Sequence, residues 1–166
     1  KALDRGTYLS SILVLIASFF LSKYFFESYS QFFAILAGLA VGLLIGKITE
    51  IYTASEYKSV QKIADQSETG PATTIISGLS VGMLSTVWPI IMIAVGILVA
   101  YGVAGLYGIA LAAVGMLSTT GMVVGVDAYG PVSDNAGGIA EMSELPHEVR
   151  QITDKLGADR KSTRLN

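Results

Sequence analysis

The chain has 166 residues, 52% of them hydrophobic and only 14% charged, with a formal net charge of −2 and a mean hydropathy of +0.59. A soluble domain carries about 25% charged residues, so this balance points to a membrane-embedded chain, and without a basic field there is no basis for a nucleic-acid partner. The absence of cysteine excludes disulfides and thiolate metal sites.

Covering a bilayer core takes roughly 20 apolar residues. The first candidate span is 7–26, "TYLSSILVLIASFFLSKYFF", with Lys23 near one end. No small-residue cleavage pattern follows it and more spans come after, so it does not read as a signal peptide. The second is 30–51, "SQFFAILAGLAVGLLIGKITEI". A polar connection over 52–73 carries a short amphipathic pattern at Val60, Ile63 and Ala64 and ends at Gly70-Pro71, which suits a segment lying on the membrane surface. The third span, 74–101, contains Pro89, which lacks an amide hydrogen and is expected to kink the helix as a hinge or a static bend. The fourth, 104–130, runs into "DAYGP" and ends a stretch, 69–126, without a single Lys, Arg, Asp or Glu. The fold class expected is therefore all-α, a polytopic transmembrane helix bundle.

Lys and Arg favour the cytoplasmic side. Of the 11 such residues only Lys23 falls on the side away from the termini and the 52–73 connection. Both ends are thus expected to be cytoplasmic, and so are the acids that follow the fourth span.

In lipid, helices associate through close backbone approach. The second span offers Ala34, Gly38, Gly42 and Gly46 at intervals of four, with Glu50 continuing the stripe; the third offers Gly78 and Gly82, and the fourth Gly108 and Ala112. These ridges are either packing seams or the walls of an ion path.

Asp127, Asp134, Glu141 and Glu148 recur every seven residues. Seven residues are nearly two helical turns, so the first three share a face if the helix continues through Pro131 and Gly137-Gly138; Glu148 lies beyond Pro146, in what reads as a new helix. An acid at a membrane helix end is a functional candidate. The residues leave three roles open: holding divalent cations, relaying protons, or marking the interface. Tyr129, Ser133 and Asn135 place hydrogen-bonding groups near Asp134 in sequence. His147, the lone histidine, cannot build a zinc site without Cys or a second His and is expected on the surface.

The run "STTGMVVGVDAYGPVSDNAGGIAEM", followed by "LPHEVRQITDKLGA", resembles the membrane-integral inorganic pyrophosphatases, ion pumps driven by pyrophosphate. The stretch "GKITEIYTASEYKSVQKIADQSETGPATTIISGL" is similar to that family's segment around a Glu-Tyr-Tyr-Thr-Ser motif, with Glu50-Ile51-Tyr52-Thr53 here replacing one tyrosine. The resemblance covers about residues 5–158. It implies four consecutive helices, roughly the eighth to the eleventh, of a sixteen-helix subunit that forms homodimers. It implies Mg²⁺-dependent hydrolysis of pyrophosphate at the cytoplasmic face, coupled to H⁺ or Na⁺ translocation, with K⁺ as a candidate activator. Asp134 matches the family aspartate that helps hold magnesium pyrophosphate, and Asp127 a supporting one. The membrane would be the plasma membrane in a prokaryote, or that of a vacuole or acidic organelle in a eukaryote. The residues 159–166, "DRKSTRLN" from 159 on, match nothing in that pattern and read as a non-native tail, so 1–158 is expected to be an internal fragment, inactive alone. Two further classes stand beside this one: an ion-coupled secondary carrier without hydrolysis, and an inactive membrane fragment.

Overall fold

A computed structural model describes residues 2–153 and 155; the expected tail, 159–166, lies outside the described residues. Among them the regular elements are all helical: α1 (Ala2–Phe26), α2 (Ser30–Thr53), α3 (Lys58–Gln66), α4 (Pro71–Leu117) and α5 (Thr120–Met142). Residues 147–153 are helical again after Pro146.

Three stretches are long and apolar enough to cross a membrane: Arg5–Phe26, Ser30–Gln66 and Pro71–Met142. The last has 72 residues, about 108 Å of helix at 1.5 Å per residue, against a hydrocarbon core of about 30 Å. It resolves into two arms because α4 is not one rod. Ala104 (φ −141°, ψ 20°) and Gly105 (φ 63°, ψ −153°) leave helical geometry. A Cβ on Gly108 would lie 2.3 Å from the Ala100 carbonyl oxygen, so 106–117 folds back along 71–103. Gly105 suits this reversal because its left-handed φ costs a residue without Cβ little. The reversal falls at the connection expected from sequence between the third and fourth spans. The backbone stays helical through Pro89, where a kink is expected; the non-helical residues within α4 are Ala104 and Gly105. Proline removes one amide donor, which a long helix can carry, whereas reversal of direction needs a residue free to take positive φ.

The passes meet along the small-residue ridges. A Cβ at Gly38 would sit 1.8 Å from the Ala112 carbonyl oxygen, and one at Gly115 2.3 Å from that of Ile35. Gly96 faces Val41 and Gly42 faces Met116, so α2 lies in the hairpin's groove with Ala34, Gly38 and Leu39 buried. Gly46, Gly78 and Gly82, which belong to the same sequence pattern, have nothing within 4 Å of an added Cβ. Their ridges are unfilled by the described residues.

An aromatic cluster gathers at one end of the helices. Phe19 stacks on Tyr29 at 5.1 Å, Phe26 meets Tyr107 at 6.1 Å, and Lys23 Nζ lies 5.5 Å from the centre of the Tyr29 ring. These rings sit where α1 turns into α2 and beside the Ala104–Gly105 reversal, at the level where amphipathic rings are favoured. The surface segment over 52–73 contains α3, which buries none of its residues fully and packs against α4.

Candidate functional site

α5 begins after a break at Ser118 and Thr119 and continues twelve residues beyond the expected end of the fourth span at 130. It passes through Pro131 and Gly137-Gly138 without interruption, so Asp127, Asp134 and Glu141 stand on one helix. They are spaced by about 10 Å with nearly the same azimuth. Counting from the reversal at Gly105, Asp127 lies about 33 Å along the fourth pass, one bilayer core away from the aromatic edge, and Asp134 about 10 Å farther.

The helix stops by a cap readable in its hydrogen bonds. The Leu145 amide donates to the Ala140 carbonyl at 3.0 Å and the Glu144 amide to that of Glu141 at 3.1 Å, the paired bonds of a Schellman motif. Glu144 takes φ 50° at the position where glycine is commonest. Pro146 follows and starts the return helix.

The acids differ in setting. Asp127 is half-buried, while Asp134 and Glu141 are exposed. Arg150 returns from the segment after Pro146 and donates through Nη1 to the Gly137 carbonyl at 2.8 Å and to the Glu141 carboxylate. Glu148 and His147 are exposed, as expected for the residues after Pro146. Glu50, which continues the α2 ridge in sequence, accepts a 2.7 Å hydrogen bond from Lys47.

The polar residues near Asp134 in sequence do not surround it in space. Ser133 and Asn135 are adjacent positions, about 100° away around the helix to either side. Asn135 is exposed, and Ser133 Oγ is buried with no hydrogen-bond partner. Sequence adjacency was the only basis for grouping them, and helical geometry disperses it.

Among the described residues no three of His, Cys, Asp and Glu converge. Asp134 fits Mg²⁺ as a single ligand, because that ion is commonly held by one or two carboxylates together with water and substrate phosphates; the remaining donors must come from elsewhere. A separate cleft of about 520 Å³ between α3, the end of α2 and the start of α4 is lined by Tyr52, Ser59, Lys62, Gln66 and Thr73 among others and contains no carboxylate. Arg150 is the residue that sequence reasoning used only as a positive charge. The pointer to it is the Pro146 reversal, which returns the chain antiparallel to the end of α5.

Comparison with known sequences bears on this arrangement. A family model described as inorganic H⁺ pyrophosphatase matches residues 1–163. A putative K⁺-stimulated pyrophosphate-energized sodium pump of Clostridium tetani is 64% identical over 94% of the chain. A K⁺-insensitive pyrophosphate-energized proton pump of Methanosarcina mazei is 47% identical, also over 94% of the chain. A putative K⁺-stimulated pyrophosphate-energized sodium pump of Bacteroides thetaiotaomicron is 47% identical over 93%. The chain spans about a quarter of the length of these relatives, 24%, 24% and 23% respectively.

Proposed function

The chain belongs to the inorganic H⁺ pyrophosphatase family, and on that premise we propose that it is a segment of a membrane pump that hydrolyses pyrophosphate in a Mg²⁺-dependent reaction at the cytoplasmic face and moves H⁺ or Na⁺ across the bilayer. The observation that carries the reading is Asp134: an exposed carboxylate on α5, beyond the neutral stretch 69–126, on the side where the chain's Lys and Arg gather. The relatives' names support pyrophosphate as the substrate. Their prokaryotic sources support the plasma membrane, and the 64% identical relative makes Na⁺ with K⁺ activation the first combination to assay. A homodimer of larger subunits completes the proposal.

Pyrophosphate carries several negative charges, and its hydrolysis benefits from a divalent ion that clamps the phosphates and acidifies attacking water. Asp134 contributes one oxygen ligand at the mouth of the site. Asp127, about 10 Å nearer the membrane on the same face, adds negative potential beneath it that favours cations. Glu141 directs its charge to Arg150 instead. Positioning and charge stabilisation suffice for such a phosphoryl transfer, with no covalent intermediate.

The decisive experiment is Asp134→Ala in the full-length protein, assayed in membranes. Mg²⁺-dependent phosphate release should fall by roughly 10²-fold or more, the scale for losing a preorganised electrostatic group. Wild-type turnover would remove Asp134 from the site. The 166-residue chain alone should release no phosphate, since it supplies one metal ligand; measurable hydrolysis by it would refute the division of the site between this segment and others.

A further inference from the structure

We propose that Arg150 is a positioning residue: its guanidinium staples the turn following Asp134 and so fixes the carboxylate, an inference that rests on the metal-ligand reading of Asp134 above. The backbone of α5 is weakened on both sides of that residue. Upstream, Pro131 has no amide hydrogen to give the carbonyl of Asp127. Downstream, Gly137 and Gly138 have the greatest backbone freedom of any residues and the lowest helix propensity after proline. An unbraced α5 would let Asp134 drift.

The staple spans the softer of these two places. Arg150 Nη1 reaches the Gly137 carbonyl at 2.8 Å, before the second glycine, and the Glu141 carboxylate, after it. Thr153, one turn beyond Arg150, closes over the same spot: a Cβ at Gly137 would lie 3.6 Å from Thr153 Oγ1. The capping bonds at Glu144 and Leu145 set the direction in which the chain returns, which is what brings Arg150 within reach. Arginine suits the task because its planar fork can address a carbonyl and a carboxylate together, which a lysine ammonium does less rigidly.

Exposure separates a local role from a global one. The Arg150 side chain is 33% exposed and that of Glu141 71%, and ion pairs in such surroundings contribute little to overall stability. The consequence of the contact is local geometry. Partners that orient a metal ligand without touching the metal typically change metal affinity by 10- to 100-fold when removed.

The test uses the full-length protein in membranes and measures phosphate release against Mg²⁺ concentration, together with Mg²⁺-free hydrogen exchange at the amides of 138–142, which Arg150→Ala should speed and which, if unchanged, overturns the proposal. Arg150→Ala should raise the half-saturating Mg²⁺ by about tenfold while turnover at saturating Mg²⁺ falls less. Arg150→Lys should shift it by a smaller factor in the same direction. Adding Gly138→Ala to Arg150→Ala should restore most of the loss. A methyl there meets nothing within 4 Å and stiffens the helix by itself. Unchanged Mg²⁺ dependence in Arg150→Ala overturns the proposal. So does a loss that Gly138→Ala fails to restore, which would mean that Arg150 contacts pyrophosphate directly. If Arg150→Ala does not accumulate, Glu141→Ala removes one anchor of the staple at an exposed position; half-saturation about threefold higher is expected, by the same effect on affinity, and a wild-type value overturns the proposal. Asp134→Ala run in parallel separates the two readings. Wild-type turnover in that variant sinks the metal assignment, whereas its loss beside an unmoved Arg150→Ala sinks the staple alone.

Discussion

Gly38 and Gly82 each stand four residues from another glycine in an apolar helix, yet their surroundings are opposite. A methyl on Gly38 would press to 1.8 Å from the Ala112 carbonyl oxygen, while one on Gly82 would meet nothing within 4 Å. The first belongs to a seam in which α2 and the α4 hairpin approach backbone to backbone. The second belongs to a ridge of the same design without a neighbour among the described residues. In lipid, where apolar burial gives no drive for association, small-residue spacing provides the capacity for close contact, and only the tertiary arrangement supplies the contact.

Substitutions can break or sharpen this contrast. The largest effect should come from Gly38→Ala. Its Cβ runs into backbone, which cannot rotate away, so α2 and the hairpin must separate at a cost of about 3 kcal/mol or more. Loss of the monodisperse species on size-exclusion chromatography of the detergent-extracted full-length protein checks it; a normal profile would break the seam. Gly115→Ala, 2.3 Å from the Ile35 carbonyl oxygen, should follow closely in the same assay. In the 166-residue chain itself, Gly82→Ala should raise the thermal midpoint, followed by circular dichroism in micelles, through a gain of about 1 kcal/mol from helix propensity alone. A clear loss in the full-length protein alone would show that a neighbour outside this segment fills that ridge. The smallest effect belongs to Glu144→Gly. It relieves a left-handed residue with φ 50° and should slow hydrogen exchange at the Leu145 amide, a gain of about 1 kcal/mol or less.

Much of the fold was legible in the sequence because its signals are local and additive. Apolar length marked the spans. The Ala34–Gly38–Gly42 and Gly108–Ala112 spacings marked the two sides of the seam that forms. The gap between the expected third and fourth spans, 101–104, marked where the chain reverses, at Ala104–Gly105, though not the positive φ that Gly105 takes there. The expected fourth span ends at 130 with an extension after it, and α5 does continue through Pro131 to Met142, the continuation on which the shared face of the acids depended.

The acidic stripe shows the same division. Seven-residue spacing put Asp127, Asp134 and Glu141 on one face, which follows from helical period alone. That Glu141 is matched by a guanidinium nine positions later depended on how the chain returns after Pro146.

By itself, then, the sequence determined that the chain is helical and long and apolar enough to cross a membrane, because hydropathy and periodicity are properties of residues and their immediate neighbours. Only the tertiary structure decided which glycine ridges close and which side chain braces the turn beyond Asp134. Those outcomes depend on distances between residues far apart in the chain, and no local preference encodes them.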